Sequence, residues 1–76
     1  MEYSYEKEIE NIRLILPKQK RLKNTEIKVE ELGKLMSIAS EKIRGMLHFL
    51  FENPEYCPDN FYILKGQKDE YSLFMF

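Results

Sequence analysis

The residues able to do chemistry in this sequence are few, and they concentrate in one stretch. From Ser40 to His48 the polar side chains Ser40, Glu41, Arg44 and His48 recur on one helical face, with Lys42 and Gly45 beside them, while Ile43, Met46, Leu47 and Leu50 turn inward. A hydroxyl, a guanidinium and an imidazole displayed along one rod make a hydrogen-bonding surface rather than a reaction centre. Arg44 carries most of that capacity. Its planar fork holds two acceptors at once, and against guanine O6 and N7 such a contact is worth ~1–3 kcal/mol of discrimination. Lys42 is a point charge suited to phosphate. Glu41 opposes a polyanion unless it accepts from cytosine N4. His48, one turn past Arg44, reads most simply as a half-exposed polar residue.

Catalysis has no comparable support. One cysteine and one histidine leave no paired Cys/His ligands, so neither a metal nor another cofactor is expected. There is no Gly-rich phosphate loop and no Ser/His/Asp set with supporting context, so the chain reads as a non-enzyme. Cys57, between Tyr56 and Pro58, has no histidine after it and reads as a small packed residue. Being alone, it forms no internal disulfide, which agrees with a reducing compartment.

The elements that must position these residues are two short helices, Val29–Met36 and Ser40–Phe51, separated by a tight turn. Leu32 and Met36 stack at i, i+4 and Ile43 and Met46 at i, i+3, with Ile38 between them, a spacing that one straight helix cannot bury on a single face. Gly33 fits the place where the helices approach most closely. Ser40, with Glu41 and Lys42 behind it, supplies an N-cap for the second helix. Gly45 costs about 1 kcal/mol against Ala in a helix interior, and close helix packing is the favoured reason for it.

These residues resemble the helix-turn-helix of DNA-binding regulators, and the chain after them resembles the hairpin of the winged-helix branch. The family's turn usually carries Gly where this chain has Ser37, a position that often needs positive φ. The resemblance implies an α+β fold: a small winged helix, three helices followed by a C-terminal β-hairpin wing, with residues 1–76 as a single domain. It also implies a short strand before the second helix, paired with the wing. With the chain ending at the wing and no ligand domain, it is similar to the compact members carried by plasmids, phages and archaeal viruses. Those act as transcriptional repressors or as centromere-binding adaptors in DNA segregation.

Around this centre the chain reads in order. Tyr5, Ile9, Ile12 and Leu16 mark one face of a helix over Tyr3–Leu16, capped by Ser4 and stopped by Pro17. Leu14 and Ile15 widen its apolar surface; they pack on the core or face a partner subunit, and the core is favoured. Lys18, Lys20, Arg21 and Lys23 make the most basic stretch, a helical tail fraying into a turn at Asn24. It is either a backbone clamp on DNA or a solubilising connector. Thr25–Lys28 alternates outward Glu26 and Lys28 with inward Ile27, enough for a very short strand. Glu52–Asn60 is a loop. Phe61–Lys65 and Tyr71–Phe76 flank a turn and form a hairpin, apolar on both faces, whose tip offers Gln67 and Lys68 beside the opposing Asp69 and Glu70.

Composition bounds the function classes. Seventy-six residues, 43% hydrophobic and 33% charged, describe a folded globular domain with a core small enough that pairing with a second copy would help it. No apolar run approaches the ~20 residues of a membrane span. The acidic start MEYSYEKEIE is unlike a secretory signal, so a cytoplasmic location without membrane contact is expected. The net charge of −1 is unevenly spread: −2 over Met1–Pro17, +4 over Lys18–His48 and −3 over Phe49–Phe76. The positive charge coincides with the helix-turn-helix, where phosphate contact needs it. The leading expectation is sequence-specific binding of double-stranded DNA by a homodimer. The contacting residues would be Ser40, Lys42, Arg44 and His48 on the third helix, Gln67 and Lys68 on the wing, and Lys18, Lys20, Arg21 and Lys23 on the basic stretch. The alternative is a module that contacts a protein partner through its aromatic hairpin.

Overall fold

The computed structural model describes residues 5–76, apart from the side chain of Asp69. Helix α1 spans Glu6–Ile15, with Tyr5 at its N-cap and Glu6 and Glu8 in the first turn, where negative charge suits the helix dipole. The expected Ser4 cap lies outside the described residues. Ile9 and Ile12 are buried with Leu16 just beyond them, which is the apolar face read from the sequence. Leu14 and Ile15 are not core residues: 51% and 38% exposed, they fall off the stripe that Ile9, Ile12 and Leu16 define, so α1 buries a narrower face than the sequence suggested.

Pro17 ends the regular helix because it brings no N–H to the ladder. The chain tightens into two 3₁₀ turns, Leu16–Lys18 and Lys20–Leu22, in place of a fraying helical tail. Leu22 is buried and anchors this segment, while Lys18, Lys20, Arg21 and Lys23 remain exposed. Asn24, at φ 61°, then turns the chain into strand β1, Thr25–Lys28. Asparagine tolerates the left-handed region better than most residues.

Strand β1 runs directly into helix α2, Val29–Met36, and α2 is followed by helix α3, Ser40–Glu52. Between them Ser37 adopts φ 57°, ψ 44°, the left-handed conformation anticipated for a turn that usually employs glycine. The turn folds back so tightly that a Cβ on Gly33 would sit 2.9 Å from the Ile38 carbonyl oxygen. What requires the missing side chain is therefore the backbone of the turn itself. The expected cap is displaced by one residue: Ala39 is the N-cap of α3, its carbonyl accepting from the N–H groups of Lys42 and Ile43, and no side chain caps the helix. Ser40 is already helical and lies half-buried against Gly33. At the other end Asn53 donates from Nδ2 to the Phe49 carbonyl at 3.0 Å, closing α3 just before Pro54.

After a loop containing a 3₁₀ turn at Pro54–Tyr56 come strands β2, Phe61–Lys65, and β3, Tyr71–Met75. The sheet is antiparallel in the order β1-β3-β2, so the hairpin's second strand lies in the middle. Ile27, Ile63 and Leu73 share one register row, and with Phe61, Tyr71 and Met75 they face the helices. Glu26, Lys28, Tyr62, Leu64, Ser72 and Phe74 form the outer face. The helices contribute Ile12, Leu32, Ile43, Met46, Leu47 and Leu50 to a continuous core. The result is an α+β winged-helix layout, α1-β1-α2-α3-β2-β3, with the wing reduced to a tight turn at Gln67–Asp69. Its left-handed residue is Lys68, φ 54°, rather than Gly66. No helix among the described residues is long and apolar enough to cross a membrane.

Because a non-glycine residue in the left-handed region carries a steric penalty of roughly 1–2 kcal/mol, Ser37→Gly should raise unfolding stability by about 1 kcal/mol. Urea denaturation of the two proteins checks this; a lower midpoint for the variant would show that the serine hydroxyl has a stabilising role in the turn.

Candidate nucleic-acid interface

Arg44 projects from the first half of α3, on the flank that faces the hairpin. The turn at Ser37 sets that direction, and Ile43, Met46, Leu47 and Leu50, all buried, fix the rotation of the helix about its axis. Arg44 lines a cleft of about 230 Å³ together with Lys28 at the end of β1 and Lys68 at the wing tip. Val29, Tyr71 and Ser72 contribute to its walls, and Glu26, Glu30 and Glu70 bring the opposing charges. Residues from β1, α2, α3 and the hairpin thus converge on one depression.

Not all of those charges are equally available. Ser72, a buried polar residue, donates from Oγ to Glu26 Oε2 at 2.5 Å, and Lys28 Nζ lies 3.3 Å from the same oxygen. The Ser72 hydroxyl, and secondarily the Lys28 ammonium, hold the Glu26 carboxyl below the ordinary glutamate range. Glu26 and Lys28 therefore largely cancel. Arg44 and Lys68 are both exposed and have no hydrogen-bond or ion-pair partner among the described residues. They are the cations the cleft presents, and Glu30 and Glu70, also exposed in its lining, stand against them.

The other residues singled out in the sequence are distributed differently. Lys42 lies on the opposite flank of α3 from Arg44, and its ammonium is 2.9 Å from Glu8 of α1. That hydrogen-bonded ammonium keeps the Glu8 carboxyl below its usual range. Gly45 faces Tyr5: a Cβ there would lie 2.5 Å from the tyrosine hydroxyl, so a side chain at this position would displace the Tyr5 ring end from α3. Tyr5 and Phe49 then contact at 5.7 Å between ring centroids. His48 is exposed, but its Nδ1 shares a 2.8 Å hydrogen bond with the Tyr71 hydroxyl and its ring meets that of Tyr71 edge-on. Ser40 is half-buried beside Gly33, and Gln67 is exposed at the wing.

The basic stretch does not join this cleft. Asn24 and Thr25 lie level with Met75, whereas Lys28 pairs with Ser72 and the wing follows Lys65 and precedes Tyr71. Lys20 and Lys23 therefore sit toward the opposite end of the sheet from the cleft, the strand rising ~13 Å over the four steps from Asn24 to Lys28. There they line a groove with Pro17, Asn60, Met75 and Phe76. Arg21 pairs with Glu31 of α2 at 3.2 Å, and Lys18 is exposed on the first 3₁₀ turn. Cys57 is half-buried, its thiol pushed up to about 11 by burial and its Sγ donating weakly to the Phe61 carbonyl at 3.4 Å.

Sequence reasoning missed Lys28 as a member of the cleft, although its outward alternation immediately before α2 was the available signal. It also missed Glu8 and Tyr71, whose partners on α3 lie too far away in the chain for any local pattern to reveal.

By fold and site, then, this is a small winged-helix-type module with a cleft of mixed charge between its third helix and its hairpin, in which Arg44 and Lys68 stand beside Glu30 and Glu70. Compared with family models, curated proteins and solved structures, the chain matches none.

The Glu8–Lys42 pair makes stability depend on pH with a definite sign. A carboxyl depressed in the folded state stabilises above its unfolded pKa, and that contribution is lost as pH falls through the folded value. Glu8→Gln should therefore be less stable than the parent near neutrality, the gap closing as pH drops through and below the ordinary glutamate range. Thermal unfolding at several pH values measures this, and a gap independent of pH would assign the loss to packing instead.

Proposed function

We propose that this protein binds double-stranded DNA, with the N-terminal half of α3 entering the major groove and the hairpin tip resting on the adjoining backbone. The observation that carries the reading is the cleft itself. Arg44 on α3 and Lys68 on the hairpin, separated in sequence by most of α3, a loop and a strand, face one depression with no hydrogen-bond or ion-pair partner among the described residues. Arg44 is the base-reading residue, able to take guanine O6 and N7 together. Lys68, assisted by Lys28, meets phosphate. Gln67 and Ser40 are supplementary polar contacts, whereas Lys42 reaches phosphate only by leaving Glu8.

The near-neutral net charge fits a protein that contacts DNA through a small patch rather than by bulk attraction. Lys20 and Lys23, at the other end of the sheet, are outside that patch. In this reading the protein acts as a compact repressor or segregation adaptor. A second copy would place two clefts on one site, with exposed Leu14 and Ile15 of α1 as the apolar contact between copies.

The test is anisotropy against a pool of labelled duplexes, followed by selection of the tightest. Log affinity should fall with log salt with a slope of ~−0.9 per phosphate neutralised. Arg44→Ala should cost ~1–3 kcal/mol on the preferred duplex and flatten sequence preference, while Lys68→Ala should weaken all duplexes alike and reduce the slope by about 1. Absence of binding to any duplex at low salt overturns the reading.

A further inference from the structure

We propose that the free edge of β2 and the apolar groove beside it form a docking site for an extended peptide of a partner protein, one with an apolar centre and basic flanks. This surface is separate from the Arg44 cleft and stands whether or not that cleft takes DNA.

The hydrogen-bond phase of the sheet shows what β2 has left to offer. Phe76 donates to the Asn60 carbonyl at 2.9 Å and Gly66 to the Glu70 carbonyl at 2.6 Å. In an antiparallel pair the bonded residues alternate, so Tyr62 and Leu64 turn their backbone groups toward β3, and Phe61 and Ile63 turn theirs away. Among the described residues no strand lies on that outer side, since β2 is the last in the order β1-β3-β2. The Phe61 carbonyl receives the weak Cys57 thiol bond. The N–H and C=O of Ile63 lie at the centre of the open edge.

The other edge strand, β1, is blunted in the way that soluble proteins usually blunt such edges: it is short and carries Glu26 and Lys28. Strand β2, FYILK, has neither proline nor charge before its last residue. Its free edge runs along a groove of about 480 Å³ walled by Leu50 and Phe51 of α3, Pro54 and Pro58 of the loop, and Tyr62 and Phe76. Phe51, Tyr62 and Phe76 are 41%, 44% and 49% exposed, so half of the exposed large hydrophobics among the described residues line this one groove. Main-chain pairing gives a strand addition its affinity and neighbouring pockets give it specificity; both are present here.

Charge selects the occupant. Asp59 lines the groove, and Glu52 and Glu55, exposed and each adjacent in sequence to a lining residue, extend the acidic rim against Lys65. A second copy paired edge to edge would bring two net-acidic rims together, and a nucleic acid would meet the same repulsion. A strand with lysine or arginine at its ends meets attraction.

The probe is a synthetic peptide with a valine–isoleucine centre bracketed by lysine pairs, titrated into the full chain and followed by amide NMR. The expected result is saturable binding that shifts residues of β2 and the groove and slows hydrogen exchange at the Ile63 amide. N-methylation of the peptide's central amides should weaken binding by about tenfold or more, because it removes the strand-to-strand bonds without touching the protein. Bracketing the same centre with glutamates should weaken it comparably at low salt, as should Asp59→Lys in the protein with the lysine-bracketed peptide. Equal affinity of the N-methylated peptide, no binding, shifts confined to the Arg44 cleft, or Ile63 protection that grows with protein concentration alone would each overturn the proposal, the last in favour of self-pairing.

Discussion

The left-handed turn at Ser37 is the constraint on which the rest of the molecule depends. It lets the Ile38 carbonyl close over Gly33, and by doing so it fixes the angle at which α3 leaves α2. Once that angle is set, Ile43, Met46, Leu47 and Leu50 can meet Ile27, Ile63 and Leu73 of the sheet in one core. A larger residue at Gly33 would have to push back backbone rather than a flexible side-chain end, which is why the turn tolerates so little change. Arg44 reaches the hairpin only because the turn aims α3 across the sheet.

Periodicity made much of this legible in advance. The boundaries of β1, α2 and β2 coincide with those read from the sequence because each is bracketed by unambiguous signals: Asn24 before β1, the break at Ser37 after α2, and the aromatic and branched run of β2. Positive φ at Ser37 was also legible, since the turn's usual residue is the one that adopts it freely. Where reading failed, the reason was long-range. Leu14 and Ile15 look like core to a pattern that counts apolar residues, but α1 buries only the single stripe of Ile9, Ile12 and Leu16. The cap fell on Ala39 rather than Ser40 because the turn's tight return draws Ser40 against Gly33. The candidate site divided for the same reason: strand order sends Lys20 and Lys23 to one end of the sheet and Arg44 and Lys68 to the other, and no linear count of charge carries that information.

The polar residues of α3 show how tertiary neighbours reassign roles that a helical wheel makes look equivalent. Lys42 and Arg44 are two residues apart and both basic, yet one is held by Glu8 and the other has no hydrogen-bond or ion-pair partner among the described residues. His48 is tied to Tyr71, which joins the middle of α3 to the first residue of β3. The helix is thus fastened on both flanks, by α1 through Tyr5 and Glu8 and by β3 through Tyr71. The Arg44 cleft lies along the second flank, and the aromatic groove lies apart from it at the edge of β2.

The place of β3 in the sheet also governs how the chain can be made. As it emerges from the ribosome, β1 and then β2 appear with no neighbour, because the strand that joins them is translated after both. The contacts of α2 with α3, by contrast, lie within one short span and can form before β3 is made. Until the last strand arrives, the inward faces of two apolar segments stay wet, and the nascent protein must either hold them against the helices or be shielded by something else.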